Sequence, residues 1–141
     1  MGNALELIKV RYPSAQTFKF GDSRALCDEL LALVRSGVKT ATCGALRDYP
    51  EGSAETPVVG RCDIALDWDD RPALVIETLD VTIRRFCDMT EDFALAEGEN
   101  ETLEGWQEDH RRYFKRNGGF DPEMELLCER FRLVEDLASK E

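Results

Sequence analysis

Gly37-Val38-Lys39-Thr40-Ala41-Thr42 is the stretch on which the fold turns, because a helix ends in it and extended chain begins. Ahead of it, Leu26, Leu30, Leu33 and Val34 recur at helical spacing, and Asp22-Ser23 offers side-chain oxygens to cap the first backbone N–H groups. Gly37 supplies the left-handed stop that residues with a Cβ adopt only at a cost. Thr42, β-branched, suits the strand that follows. Downstream, Cys62 to Trp68 and Ala73 to Phe86 read as strands joined by a turn at Asp69-Asp70-Arg71-Pro72. Leu79, Val81 and Ile83 alternate with Asp80, Thr82 and Arg84, the pattern of a half-buried antiparallel strand with its apolar row inside. Thr102 can cap a further helix that lines up Leu103, Trp106, His110, Tyr113 and Phe114, and a last strand runs from about Leu126 to Val134. Tyr49 to Gly60, broken by Pro50, Gly52, Ser53 and Pro57, reads as a surface loop. With no internal repeat and no βαβ alternation, the expected class is α+β around a mainly antiparallel sheet or barrel.

Composition narrows the setting. A chain of 141 residues with 43% apolar content can build one core, and no composition break divides it, so residues 1–141 read as one domain. Glu6, Lys9 and Arg11 interrupt the opening residues, which excludes a signal peptide; Glu6 also stands where an N-myristoylation motif starting Met1-Gly2-Asn3 wants Ser or Thr. No apolar run approaches the ~20 residues of a membrane helix. The five cysteines, Cys27, Cys43, Cys62, Cys87 and Cys128, are odd in number and widely spaced, without a Cys-x-x-Cys pair. They are expected as free thiols in the cytoplasm, where the sequon Asn100-Glu101-Thr102 has no use.

The formal net charge of −11 repels a phosphate backbone at long range, which excludes a non-specific nucleic-acid coat. Its distribution is uneven. From Cys87 to Asp109 there are nine acidic side chains and no Lys or Arg, and then His110-Arg111-Arg112-Tyr113-Phe114-Lys115-Arg116 brings four positive charges. A small ligand or a single RNA loop can still find a positive face there.

Gly37-Val38-Lys39-Thr40-Ala41-Thr42 resembles the Gly-x-Lys-x-x-Thr signature of the ASCH family, and further blocks follow in the family's order. These are Phe20-Gly21-Asp22 before the helix, Val75-Ile76-Glu77-Thr78 opening the long strand, Ala96-Glu97-Gly98-Glu99 after it, then Trp106, His110 and Cys128-Glu129-Arg130-Phe131. The resemblance covers roughly Phe18 to Val134 and leaves residues 1–17 as an amino-terminal extension. It implies a PUA-like, mainly antiparallel β-barrel with flanking short helices, a cleft at the helix-to-strand junction, and a role linked to RNA or to modified nucleosides. Some relatives hydrolyse the amide of acetylated cytidine and others are reported to cut RNA. The residues of the hydrolases correspond here to Lys39, Thr42 and Glu99. The chain is longer than those compact hydrolases, by the Tyr49 to Gly60 loop and the amino-terminal segment.

The chemistry of that trio is coherent. A threonine hydroxyl needs a base to become a nucleophile, and a lysine amine with an ordinary pKa near ~10.4 needs burial or a neighbouring charge to serve as one. Lys39 and Thr42, three residues apart, can converge on a carbonyl while Glu99 carries a proton to the leaving amine. A solvated Lys39 and a purely structural Thr42 are the plain alternative. Gly37-Val38-Lys39-Thr40 lacks the glycine framework of a phosphate loop, so nucleoside triphosphate hydrolysis is excluded. Glu97, Glu99 and Glu101 alternate as metal carboxylates can, but the pattern suits an exposed acidic loop, and neither metal nor cofactor is expected.

Around this centre, Arg111, Arg112 and Arg116, with Lys115, can form a phosphate-binding rim or a helix face balanced by Glu108 and Asp109. Trp68 and Tyr49 can stack on a base or support the loop and sheet edge. Glu77 shares the parity of Leu79 and Val81, so it lines the barrel unless a bulge at Thr78 re-aims it. His110, beside Trp106 and Phe114, reads as a structural histidine under the sheet. Three functions remain open: a hydrolase, a non-catalytic RNA-binding module, and a regulatory domain sensing a small ligand. Oligomeric state is not readable.

Overall fold

The computed structural model describes residues 4–137, so the Met1-Gly2-Asn3 reading and the last residues of the 1–141 domain lie outside it. The elements run α1 (Ala4–Arg11), β1 (Thr17–Lys19), α2 (Arg24–Arg35), β2 (Ala41–Ala45), β3 (Cys62–Leu66), β4 (Pro72–Arg85), α3 (Glu91–Ala96), α4 (Leu103–Arg116) and β5 (Glu125–Asp136). Three of these starts follow from capping hydroxyls. Ser23 accepts from the N–H of Leu26, Thr90 from that of Phe93 and Thr102 from that of Gly105. The end of α2 is a Schellman motif: Gly37 at φ +82 lets its N–H reach Val34 O while Val38 N–H reaches Leu33 O. The chain leaves that motif directly into Lys39 and β2.

The strands form one sheet in the order β1-β3-β4-β5-β2, with β1 parallel to β3 and the other pairs antiparallel. The expected barrel is corrected to an open sheet, because β1 and β2 stand at opposite edges and do not pair with each other. β4 also departs from the alternation read in its sequence. Its buried part is Ala73 to Ile76, covered on both faces, whereas Leu79 and Ile83 are exposed. The physical reason is a pair of register shifts against β5, at Val75/Ile76 and Thr78/Asp80, which turn the strand and carry Thr78 inside.

Three apolar clusters hold the layers. Leu30, Leu31 and Val34 of α2 pack with Leu74, Ile76 and Phe131. The amino-terminal segment supplies Leu5, Ile8, Tyr12 and Ala15 to a second cluster with Ile64 and Val75. At the other end, Trp106 and Phe114 of α4 meet Phe93, Phe86 and the β2–β5 pair. Among the described residues no helix is long and apolar enough to cross a membrane.

Candidate functional site

A cavity of about 410 Å³ opens where α2 hands over to β2, within the ~300–1,000 Å³ range of small-ligand sites. Lys39, Thr42, Tyr49, Glu97, Glu99 and His110 contribute to its wall. What brings the acidic segment onto Lys39 is backbone. Thr40 N–H donates to Ala96 O, and Gly98, at φ +80, lies so close that a Cβ there would sit 2.8 Å from Val38 O. Only glycine fits both the dihedral and the approach.

Lys39 is 2% exposed. Its Nζ donates to Ala41 O at 2.8 Å, Glu97 O at 3.3 Å and Glu99 Oε2 at 3.5 Å, which matches the three N–H donors of an ammonium. Glu97 Oε1 lies 3.7 Å from the same Nζ. The Glu97 carboxylate in turn accepts from Cys43 N–H at 3.2 Å and from the indole N–H of Trp106, and stands 3.3 Å from His110 Nε2. The Cys43 N–H is available for this because Cys43 faces Cys128 at a non-hydrogen-bonded position of the β2–β5 ladder, where the edge strand's N–H points away from its partner. His110 Nδ1 lies 2.9 Å from Trp106 O, and its ring stacks on the indole with centroids 4.1 Å apart.

These contacts set the protonation states. Burial works to raise Glu97, but the Lys39 charge, His110 and Trp106 outweigh it and hold the carboxyl at about 2. Burial works to lower His110, and Glu97 reverses it, so the imidazole is raised above its ordinary value. Glu99 is raised, chiefly by burial, with Lys39 opposing and Glu97 adding. Burial, with Glu97 next, pushes the Cys43 thiol well up, so it is no nucleophile. Tyr49 is pushed up to about 12 by burial and by Glu129.

Lys39, Thr42 and Glu99 thus share one cavity. Tyr49 joins them, and Arg112 and Arg116 reach its rim, but both guanidiniums are committed: Arg112 to Glu108 and Asp109, Arg116 to Asp22. Arg111 lies over the Phe120 ring instead. Trp68 packs on the α2 cluster under Lys19, and Glu77 pairs with Arg132 at 2.6 Å, so neither lines the cavity. For Glu77 the bulge alternative is the one observed. Two readings are corrected: Glu97 is no exposed loop carboxylate but 1% exposed, and His110 faces the cavity rather than only the core. A Glu beside a glycine, thirteen residues before the sole histidine, carries no periodic signal; only the Ala96-Glu97-Gly98-Glu99 block marks it. Cys43, Glu97 and His110 offer metal-ligand atoms within 4.8 Å of one another, but Lys39 at 3.7 Å from Glu97 opposes a cation there.

The cavity's charges are unevenly satisfied. Lys19 is paired with Asp70 at 2.6 Å, as the other cationic lining side chains are paired with their own carboxylates. Asp48, Glu55 and Glu129 face the space without an ion pair among the described residues; Glu129 accepts only from the Thr78 hydroxyl, at 2.7 Å.

Comparison with known proteins follows the same lines. The family model described as an ASCH domain matches residues 16–135. A crystal structure of a protein from Enterococcus faecalis V583 is 34% identical with a TM-score of 0.82, over 96% of this chain and 88% of that one. The crystal structure of an ASCH domain from Lactobacillus crispatus JV V101 is 28% identical with a TM-score of 0.77, over 90% and 84%. A hypothetical protein at 14% identity and a TM-score of 0.54, over 76% and 93%, shares the fold. No curated protein matches the chain.

Proposed function

Since the chain belongs to the ASCH family, a PUA-like family associated with RNA binding, we propose that its cavity hydrolyses the amide of an acylated nucleoside. The observation that carries this is the 3.5 Å contact between Lys39 Nζ and Glu99 Oε2 on the cavity that Thr42 also lines. In the proposed reaction the Thr42 hydroxyl oxygen bonds to the acyl carbon as Glu99 takes its proton. The C–N bond then breaks and Glu99 returns the proton to the leaving amine. Water, activated by Glu99 in its turn, releases the acid from Thr42. The raised Glu99 carboxyl suits both directions of transfer, and the Lys39 charge stabilises the anionic tetrahedral stage.

A free nucleoside fits better than a phosphorylated one, because Lys19, Lys39, Arg112 and Arg116 are all committed while Asp48 and Glu129 are left to accept from hydroxyl or amino groups. Five cysteines without a disulfide suit a cytoplasmic setting. Incubation with a panel of N-acylated nucleosides and their 5′-phosphates, read by mass loss of the acyl group, tests the reading. Deacylation of nucleosides that Thr42→Ala abolishes supports it, and no deacylation of any panel member refutes it. The second reading, an RNA-binding module without catalysis, rests on the family and on Arg111 and Lys115, which carry no ion pair among the described residues. It requires RNA hairpin binding that weakens steeply with salt. A small-ligand sensor would bind a nucleoside in the same cavity and release it unchanged.

A further inference from the structure

Strand β4 runs on past its neighbour. β3 pairs with it from Pro72 to Glu77 only, while β5 follows it as far as Arg85. Phe86 N–H donates to Met124 O. Counting back along the antiparallel alternation, Asp80, Thr82 and Arg84 turn their backbone groups towards β5, and Val81, Ile83 and Arg85 turn theirs away. On that far side no described strand pairs with β4 beyond Thr78, so the N–H and C=O groups of Val81 and Ile83 form an open edge.

The apolar row that the sequence would place in the core stands at this edge. Leu79 is 49% and Ile83 54% exposed, and Val58-Val59, drawn alongside by the bond from Gly60 N–H to Thr78 O, are 51% and 60% exposed. The polar face is unfinished too. Among the described residues neither Asp80 nor Arg84 has an ion pair, and Arg84 Nε is buried with no hydrogen-bond partner, whereas the adjacent Arg85 is held by Asp88 and Glu123. Natural sheets seldom leave an apolar edge open in this way.

We propose that this edge pairs with the same edge of a second copy, antiparallel about a two-fold axis through Thr82. In that register Val81 and the partner subunit's Ile83 exchange backbone hydrogen bonds, and the symmetry repeats the exchange. Asp80 falls opposite the partner subunit's Arg84, giving each charge an opposite neighbour, and Thr82 meets the partner subunit's Thr82 at the axis. The charges select the register. A slip of one residue sets inward-turned backbone against outward-turned, and a slip of two sets Asp80 or Arg84 against threonine and leaves a charge alone.

The test is sedimentation equilibrium of the full chain from low to high micromolar concentration, with charge exchange at the two positions. The wild type associates to a dimer. Asp80→Arg, at an exposed position, creates two like-charged pairs and weakens dimerisation about tenfold or more, and Arg84→Asp does the same. The double exchange restores opposite charges and with them the dimer, which no effect on folding alone would do. A wild type that stays monomeric throughout overturns the proposal. So does a dimer whose dissociation constant Asp80→Arg leaves unchanged, and this holds even if Arg84→Asp fails to fold.

Discussion

Replacing Glu97 by Gln removes one charge from the centre of the buried network and keeps its shape. Lys39 and Glu97 are 2% and 1% exposed, so water cannot take the place of the lost carboxylate. Glu97 is held at about 2 against an ordinary 4.5, a displacement worth about 3 kcal/mol of stability at neutral pH. Removing one partner of a buried pair costs ~3–5 kcal/mol in general, which agrees. Glu97→Gln should therefore lower unfolding stability at pH 7 by about 3 kcal/mol, or Tm by on the order of 10 °C for a domain of this size. Because the folded value is depressed, the stabilisation is complete above about 4.5 and is lost as pH falls towards about 2. Urea unfolding of both proteins from neutral to acid pH should show a constant gap that closes over that window, where a protonated carboxyl and an amide carry equal charge. His110 is raised by the same contact, so its share is present below its ordinary 6.5 and lost as pH rises through its folded value; the gap should narrow again on the alkaline side. A variant within about 1 kcal/mol of the wild type at pH 7, or a gap indifferent to acid, would refute the network as a charged one.

If Glu99 is the proton carrier, kcat/KM should rise with pH through a value above 4.5, since burial raises that carboxyl, and Glu99→Gln should lose the limb and about a hundredfold in rate. Gly98→Ala forces a Cβ to 2.8 Å from Val38 O at φ +80 and should cost ~1–3 kcal/mol in a urea melt. Gly37→Ala, at a similar φ but with nothing within 4 Å, should cost only about 1 kcal/mol; equal losses would show that the close approach is unimportant. Intact mass without reductant should retain five free thiols, with exposed Cys87 alkylated first and buried Cys128, raised to about 11, among the last. A bridge between any pair other than Cys43 and Cys128, which face each other across β2 and β5, would contradict the register on which the site is built.

What was legible in the sequence is what depends on neighbours along the chain. The α2 pattern, its Ser23 cap, its Gly37 stop, the Thr102 cap, the turn at Asp69 to Pro72 and the long strands all arise from local dihedral preference and capping chemistry, and each lies within a few residues of its expected place. Lys39, Thr42 and Glu99 were marked by a motif, and they do share a cavity. The short elements were not legible. β1 has three residues and α3 six, too few for a period to emerge, and both owe their shape to what they pair with or pack on. Only the tertiary structure decided which carboxylate is buried: Glu97 and Glu99 look alike in sequence, and it is the approach of Gly98 to Val38 that turns Glu97 under β2 and α4, where Lys39 and His110 can hold its charge. It also decided that Leu79 and Ile83 face out, because alternation gives two faces to a strand but not which one is covered, and the bulge at Thr78–Asp80 together with the early end of β3 settles that from outside the strand.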